Sequence, residues 1–231
     1  MFMTKSEFAA RINYSCIRPT FTAADVDKHS DIVVEKGFGV FCVPPGHVER
    51  VKKRHGDKIV LSTSVDYPFG RHTTKTKVAI ARENVDNGAN QMDIVPNYSM
   101  FLSGDIEYCT RELTEMVQAV KEKDPKVIVK VLAELSFYTV EQKKACCKMI
   151  MDCGADAIKT NGGYGNFSFR LSDVDIIKDV MGQDVWIKAA GDANDAGTML
   201  AAFKAGCREY GNYAEACQNA YDTFDDYIKY Y

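Results

Sequence analysis

The chain has 231 residues, of which 46% are hydrophobic and 26% charged, with a net charge of −3 and a pI near 5.8. This length supports one large domain with a substantial core, and the composition excludes fibrous and disordered classes. The mild acidity favours neither nucleic acid nor an anionic membrane as the main partner.

In chain order, residues 4–11 read as a short leading helix, and residues 12–17 as a strand that stops at Arg18-Pro19. Thr22 caps a helix to about Lys36, with Asp25 as its capping-box partner. The apolar run 37–43 has strand length. Pro44-Pro45-Gly46 breaks it, and a basic helix follows to about His55. Residues 58–65 form the third strand, 66–70 a loop and 73–87 a helix. A fourth strand covers 90–95, and a long amphipathic helix 104–123. The fifth strand spans 126–135. Thr139 caps the next helix, with Gln142 three residues on, and Gly154 closes it. Strand six carries Lys159. Ser172 with Asp175 opens a helix ending near Gly182, and strand seven carries Lys188. Residues 194–204 are helical, 207–211 form a weak eighth strand, and 213–231 read as one last helix.

Eight strand–helix units in this length predict a single-domain (β/α)8 barrel over residues 1–231. The continuous apolar strands fit burial on both faces. The rival is a doubly wound open sheet, weakened because no G-x-G-x-x-G follows the first strand. The eight cysteines (16, 42, 109, 146, 147, 153, 207, 217) form neither a Cys-x-x-Cys pair nor a zinc spacing, which points to a reduced, cytoplasmic protein. There is no signal-peptide core and no apolar run long enough to cross a bilayer. The four histidines (29, 47, 55, 72) lie in the first third, with no His-x-x-x-His pair, so a metal-dependent mechanism is not expected.

The chemistry is expected at the C-terminal ends of the strands. Residues 156–163, Asp-Ala-Ile-Lys-Thr-Asn-Gly-Gly, place Lys159 at a strand end before a glycine turn, and residues 185–191 place Lys188 equivalently. A lysine among apolar groups is costly to keep charged, and two such amines side by side lower each other's pKa. That is one route to an amine that attacks carbonyls. Asp93 stands inside the apolar strand Gln91-Met-Asp-Ile-Val95, and Lys130 and Cys42 are further candidates for the barrel interior. A lone strand lysine more often pairs with a carboxylate or reaches solvent. Two at matched positions, with a strand aspartate, raise the catalytic reading considerably, while a barrel ion pair with a lysine stays open as the plain reading of Asp93.

These motifs resemble the deoxyribose-phosphate aldolase family almost end to end. Phe41-Cys-Val43, Gln91 to Val95, Ser103-Gly-Asp105, Val129-Lys-Val131 with Glu134, residues 154–160 and residues 187–191 are each similar to family strands or loops, in order. The resemblance implies reversible cleavage of 2-deoxy-D-ribose 5-phosphate to D-glyceraldehyde 3-phosphate and acetaldehyde. Lys159 would form the imine, Lys188 would lower its pKa and relay protons, and Asp93 would move a proton through a water. It implies a substrate-facing set of Cys42, Ser15 and Thr160, and a phosphate region built on Gly162, Gly163, Gly191, Gly211 and Asn212. It implies no cofactor or metal, a small aldehyde or sugar as the ligand, and a homodimer. Tyr231 resembles a terminal tyrosine that reaches the site in some relatives, although the tyrosines at 227, 230 and 231 also read as packing residues.

The phosphate region departs from the family pattern. A Gly-Gly pair is here Gly191-Asp192, Asn194 replaces a nearby arginine, and Gly211-Asn-Tyr213 replaces a Gly-Thr-Ser or Gly-Ser-Ser. A carboxylate at Asp192 would repel a phosphate dianion unless it turns to solvent or caps the following helix. Arg170 is a candidate compensating cation. Asn13 and Ser15 replace an aspartate and a threonine in strand one. Two acceptors therefore stay open, one phosphorylated and one not. From another class, a non-catalytic sugar-binding barrel would have no use for the lysine pair.

Overall fold

The structure, a computed structural model, describes residues 3–191 and 193–231. Its strands are β1 (Ile12–Ser15), β2 (Val40–Cys42), β3 (Leu61–Val65), β4 (Gln91–Ile94), β5 (Ile128–Leu132), β6 (Ala157–Lys159), β7 (Ile187–Ala190) and β8 (Glu209–Tyr213). They close into one barrel in sequence order, every neighbouring pair parallel. This is the (β/α)8 barrel expected from the sequence. Closure is made by β8 against β1, from Ile12 opposite Tyr210 to Ser15 opposite Tyr213.

The helices are α1 (Lys5–Ala9), α2 (Ala23–Lys36), α3 (Val48–His55), α4 (Thr74–Asp86), α5 (Tyr98–Leu102), α6 (Ile106–Lys123), α7 (Val140–Asp152), α8 (Leu171–Met181), α9 (Ala196–Lys204), α10 (Ala214–Asp222) and α11 (Phe224–Tyr227). Capping boxes start α2 at Thr22 with Asp25 and α7 at Thr139 with Gln142, each satisfying amides that a first turn leaves unpaired. Gly37, in the left-handed region at φ 70°, ends α2 and lets the chain turn into β2.

Several boundaries differ from the expected ones. The fifth strand ends at Leu132 rather than at 135, because Glu134 adopts a left-handed backbone (φ 47°) and its carboxylate binds the β6 loop. The helix expected from Ser172 starts at Leu171, and the one expected from Asn194 starts at Ala196, capped by Asp195. The last helix is broken at Thr223, which accepts the amide of Ala196 while Phe224 turns inward against Phe8 at 5.0 Å. Helix α5 was not anticipated. It packs Tyr98 and Phe101 onto Phe137 and Tyr138.

The interior of the barrel is not wholly apolar. Asn13, Gln91, Lys130 and Glu209, from β1, β4, β5 and β8, hydrogen-bond to one another across it. Each lies two residues before Ser15, Asp93, Leu132 and Gly211 respectively, so this polar layer sits one step below the C-terminal mouth. A buried charge is tolerable only when paired, and Lys130 meets Glu209 at 2.8 Å.

Candidate active site

Parallel pairing of β6 with β7 puts Lys159 directly opposite Lys188. Both side chains enter the barrel, where each amine lies 2.8 Å from the same oxygen, Oδ2 of Asp93 on β4. The two nitrogens are therefore within two hydrogen-bond lengths of each other. Their surroundings differ. The Lys188 side chain is 1% exposed and the Lys159 side chain 11%. Lys159 is the one that reaches open space.

Burial alone would raise the Asp93 carboxyl, but Lys159, Lys188 and Lys130 outweigh it and hold the group well below the usual carboxylate range. Its other oxygen, Oδ1, is buried without a hydrogen-bond partner. In the layer beneath, burial and then the charge of Lys188 push the Lys130 amine down against the pull of Glu209. Burial pushes Glu209 up, yet Lys130, Lys188 and the hydrogen bonds win, and its carboxyl is lowered. Three amines and two carboxylates thus form one connected cluster.

A cavity of about 400 Å³, including its open mouth, lies over Lys159. Of the residues expected to face substrate, Ser15, Gly162, Gly163, Gly191, Gly211 and Asn212 line it. Thr160 does not. Its side chain is buried, and its hydroxyl accepts the amide of Ala190, tying β6 to β7. Cys42 is buried at the end of β2, beside Ser15 in register, outside the lining. Arg170 is exposed at the start of α8 and stacks on Phe167, 3.6 Å from the ring centroid, outside the cavity lining. Asp192 lies outside the described residues. Tyr231 is not at the lysines either. Its hydroxyl donates to Gly197 O at 3.0 Å, in a separate cleft with Phe169, Asp195 and Tyr227.

Sequence reasoning missed Tyr67, which lies in the loop after β3. Its ring lies 5.8 Å from Lys159 Nζ and its hydroxyl donates to Gly162 O at 2.7 Å. The loop is pinned by Asp66, at φ 60°, which accepts the His72 amide and faces the buried Lys77 at 3.7 Å. The one available signal was position, since this loop follows a strand at the functional face of the barrel. Asn161 and Tyr213 also line the cavity.

A family model described as DeoC/LacD family aldolase matches residues 9–206. The deoxyribose-phosphate aldolase of Thermoanaerobacter sp. (strain X514) is 33% identical over 204 residues, covering 88% of this chain and 91% of that protein. The Thermococcus gammatolerans deoxyribose-phosphate aldolase is 31% identical over 212 residues, covering 90% and 93%. Among solved structures, the aldolase QR15 superposes with a TM-score of 0.87 at 25% identity, covering 95% of this chain and 96% of that one. The tetrameric deoxyribose phosphate aldolase of Aeropyrum pernix shares the fold, with a TM-score of 0.86 at 21% identity over 96% of this chain and 92% of that one.

Proposed function

We propose, for a chain that belongs to the DeoC/LacD family of aldolases, that carbon–carbon cleavage runs through an imine on Lys159. The observation that carries this is the Lys159–Asp93–Lys188 arrangement, with Lys159 alone of the three lining the cavity. The cluster below the cavity has one more amine than carboxylates, so releasing one proton leaves it neutral. An unprotonated Lys159 then adds to the C1 aldehyde of a 2-deoxyaldose, and loss of water gives a protonated imine. The C3 hydroxyl gives up its proton and the C2–C3 bond breaks. Its electron pair moves towards the imine nitrogen, leaving an enamine and an aldehyde that carries C3 onward. Protonation of the enamine at C2 and hydrolysis release acetaldehyde and the free amine.

Asp93 and Lys188 are suited to carry these protons. Asp93 has an unpartnered oxygen, and Lys188 donates to the other one. Acid–base help of this kind is typically worth about 10²–10⁴-fold. The name of the relatives points to 2-deoxy-D-ribose 5-phosphate as substrate, with D-glyceraldehyde 3-phosphate as the second product. One observation favours a second reading, a sugar without phosphate. Among the described residues lining the cavity, Lys159 is the sole cation.

The test is borohydride reduction in the presence of acetaldehyde, followed by peptide mass mapping. A two-carbon adduct on Lys159 is expected, and its absence would overturn the imine reading. By family, and with each protomer holding a complete lysine–aspartate set, we also propose a homo-oligomer, the dimer being the simplest form. Sedimentation at micromolar concentration tests this.

A further inference from the structure

Lys159 is met differently on its two sides. Below it, Asp93 Oδ2 takes one hydrogen bond at 2.8 Å. On the cavity side, the described lining residues include no carboxylate, but they include two aromatic rings, Tyr67 and Tyr213. The Tyr213 ring already faces a cation, the Arg18 guanidinium, 4.7 Å from its centroid. The Tyr67 ring faces Lys159, with Nζ over it at 5.8 Å from the centroid. A ring face carries negative charge density and attracts a cation within about 6 Å.

The Tyr67 ring is held in that place. Its hydroxyl donates to Gly162 O at 2.7 Å, on the loop that follows Lys159. Tyr164 stands against it, with 74° between the ring planes and 5.8 Å between centroids. At its base the Gly70 amide closes the loop onto Asp66 O at 2.9 Å. Burial pushes the phenol well above its ordinary range, so the hydroxyl keeps its proton, and that proton is engaged by Gly162. Tyr67 is thus no acid or base at neutral pH. What it offers the reacting nitrogen is its ring.

A protonated imine has more use for a ring than an amine has. Unprotonated Lys159 and an aldehyde, with one proton from the cluster beneath, give water and the protonated imine. An ammonium has three N–H groups with which to meet acceptors, whereas a protonated imine has one. Asp93 is placed to take it. The remaining charge lies on a flat N=C unit that extends into the cavity, where a ring face suits it.

Resting on the imine mechanism above, we propose that Tyr67 stabilises the protonated imine on Lys159 through the face of its ring, and so keeps it in the form that draws electrons from the C2–C3 bond. The contribution is largest in the imine and shrinks as that bond breaks, because the forming enamine neutralises the nitrogen.

The experiment titrates acetaldehyde against cyanoborohydride trapping on Lys159, on the alkaline plateau of the wild-type pH profile, where the free amine is unprotonated. Cleavage is followed in parallel with whichever of 2-deoxy-D-ribose and its 5-phosphate the wild type cleaves better. The variants are Tyr67→Phe, Tyr67→Leu, and replacements of Tyr67 by phenylalanines bearing one, two or three ring fluorines. Fluorine drains charge from the ring face and leaves its size and packing nearly unchanged, so a merely structural role would not follow the fluorine count. Half-saturating acetaldehyde is expected to rise stepwise along the fluorinated series and to stand about 3- to 30-fold above wild type in Tyr67→Leu, with kcat/KM falling by a smaller factor. Tyr67→Phe should trap within about twofold of wild type, and its lost tie to Gly162 should show in KM. No trend along the fluorinated series, or trapping by Tyr67→Phe as weak as by Tyr67→Leu, overturns the proposal. A wild type that traps nothing on Lys159 sinks the imine reading and this one with it, whereas normal trapping with a flat fluorine series sinks only the role of Tyr67.

Discussion

Lys159 and Lys188 occupy opposite sides of one rung between β6 and β7 and compete for a single oxygen of Asp93. One carboxylate shared by two amines cannot neutralise both, which gives each lysine a separate job. On the mechanism proposed above, the deeper one is held in place and the shallower one meets substrate.

Replacing the two lysines should therefore give different failures. Lys159→Ala is expected to abolish the borohydride adduct and cleavage together. Lys188→Met should still yield the adduct on Lys159, with kcat lowered roughly 10²–10⁴-fold through loss of proton transfer. Mass mapping and single-turnover kinetics distinguish them. Equal loss of adduct in both variants would contradict the division of roles.

Asp93→Asn removes the anion from between two buried amines. Breaking such a cluster from one side typically costs about 3–5 kcal/mol, because the remaining charges stay buried without compensation. A comparable loss is expected in urea denaturation, with cleavage strongly impaired. Wild-type stability for Asp93→Asn would mean that the amines do not depend on this carboxylate.

Acid should destabilise the fold through the same cluster. Asp93 and Glu209 are both depressed below their ordinary values of 3.8 and 4.5. A carboxyl lowered in the folded state binds fewer protons there than in the unfolded chain. Its contribution is therefore complete above about pH 4.5 and is lost as the pH falls through the folded value. Denaturation midpoints should drop progressively below about pH 5. Glu209→Gln should be less stable at neutral pH, since Lys130 loses its partner, and should show a shallower acid slope.

Gly70 offers a steric test of the loop that carries Tyr67. It has φ +65°, and a Cβ there would fall inside the van der Waals shell of the Pro96 carbonyl. Gly70→Ala is expected to cost at least about 1–2 kcal/mol from the left-handed backbone alone, a fall in Tm of roughly 2–8 °C for a domain of this size. It should also raise KM by displacing Tyr67. Calorimetry and steady-state assays read the two effects separately.

The barrel was legible because each strand is a short apolar run between turn signals, and because β/α alternation leaves few topologies. Asp93, Lys159 and Lys188 stood out for a related reason, as charged residues are conspicuous where everything around them is apolar. Tyr67 gave no such signal, since a tyrosine in a Tyr-Pro loop reads as ordinary packing until the fold brings it over Lys159. The commitments of Gly162 and Asn161 to Glu134 were equally hidden, because they join residues 28 and 27 positions apart in sequence. Arg170 shows the opposite limit. Its charge and position suggested a ligand contact, but the flat face of Phe167 offered its guanidinium a nearer berth.

The two-residue alternation of β6 has an evolutionary consequence. Deleting a single residue between Gly154 and Lys159 would rotate the lysine out of the barrel and into the helical layer, leaving Lys188 with no counterpart. Length variation among natural variants of this chain should therefore gather in the surface connections and avoid the few residues ahead of that amine, whatever happens to the sugar preference.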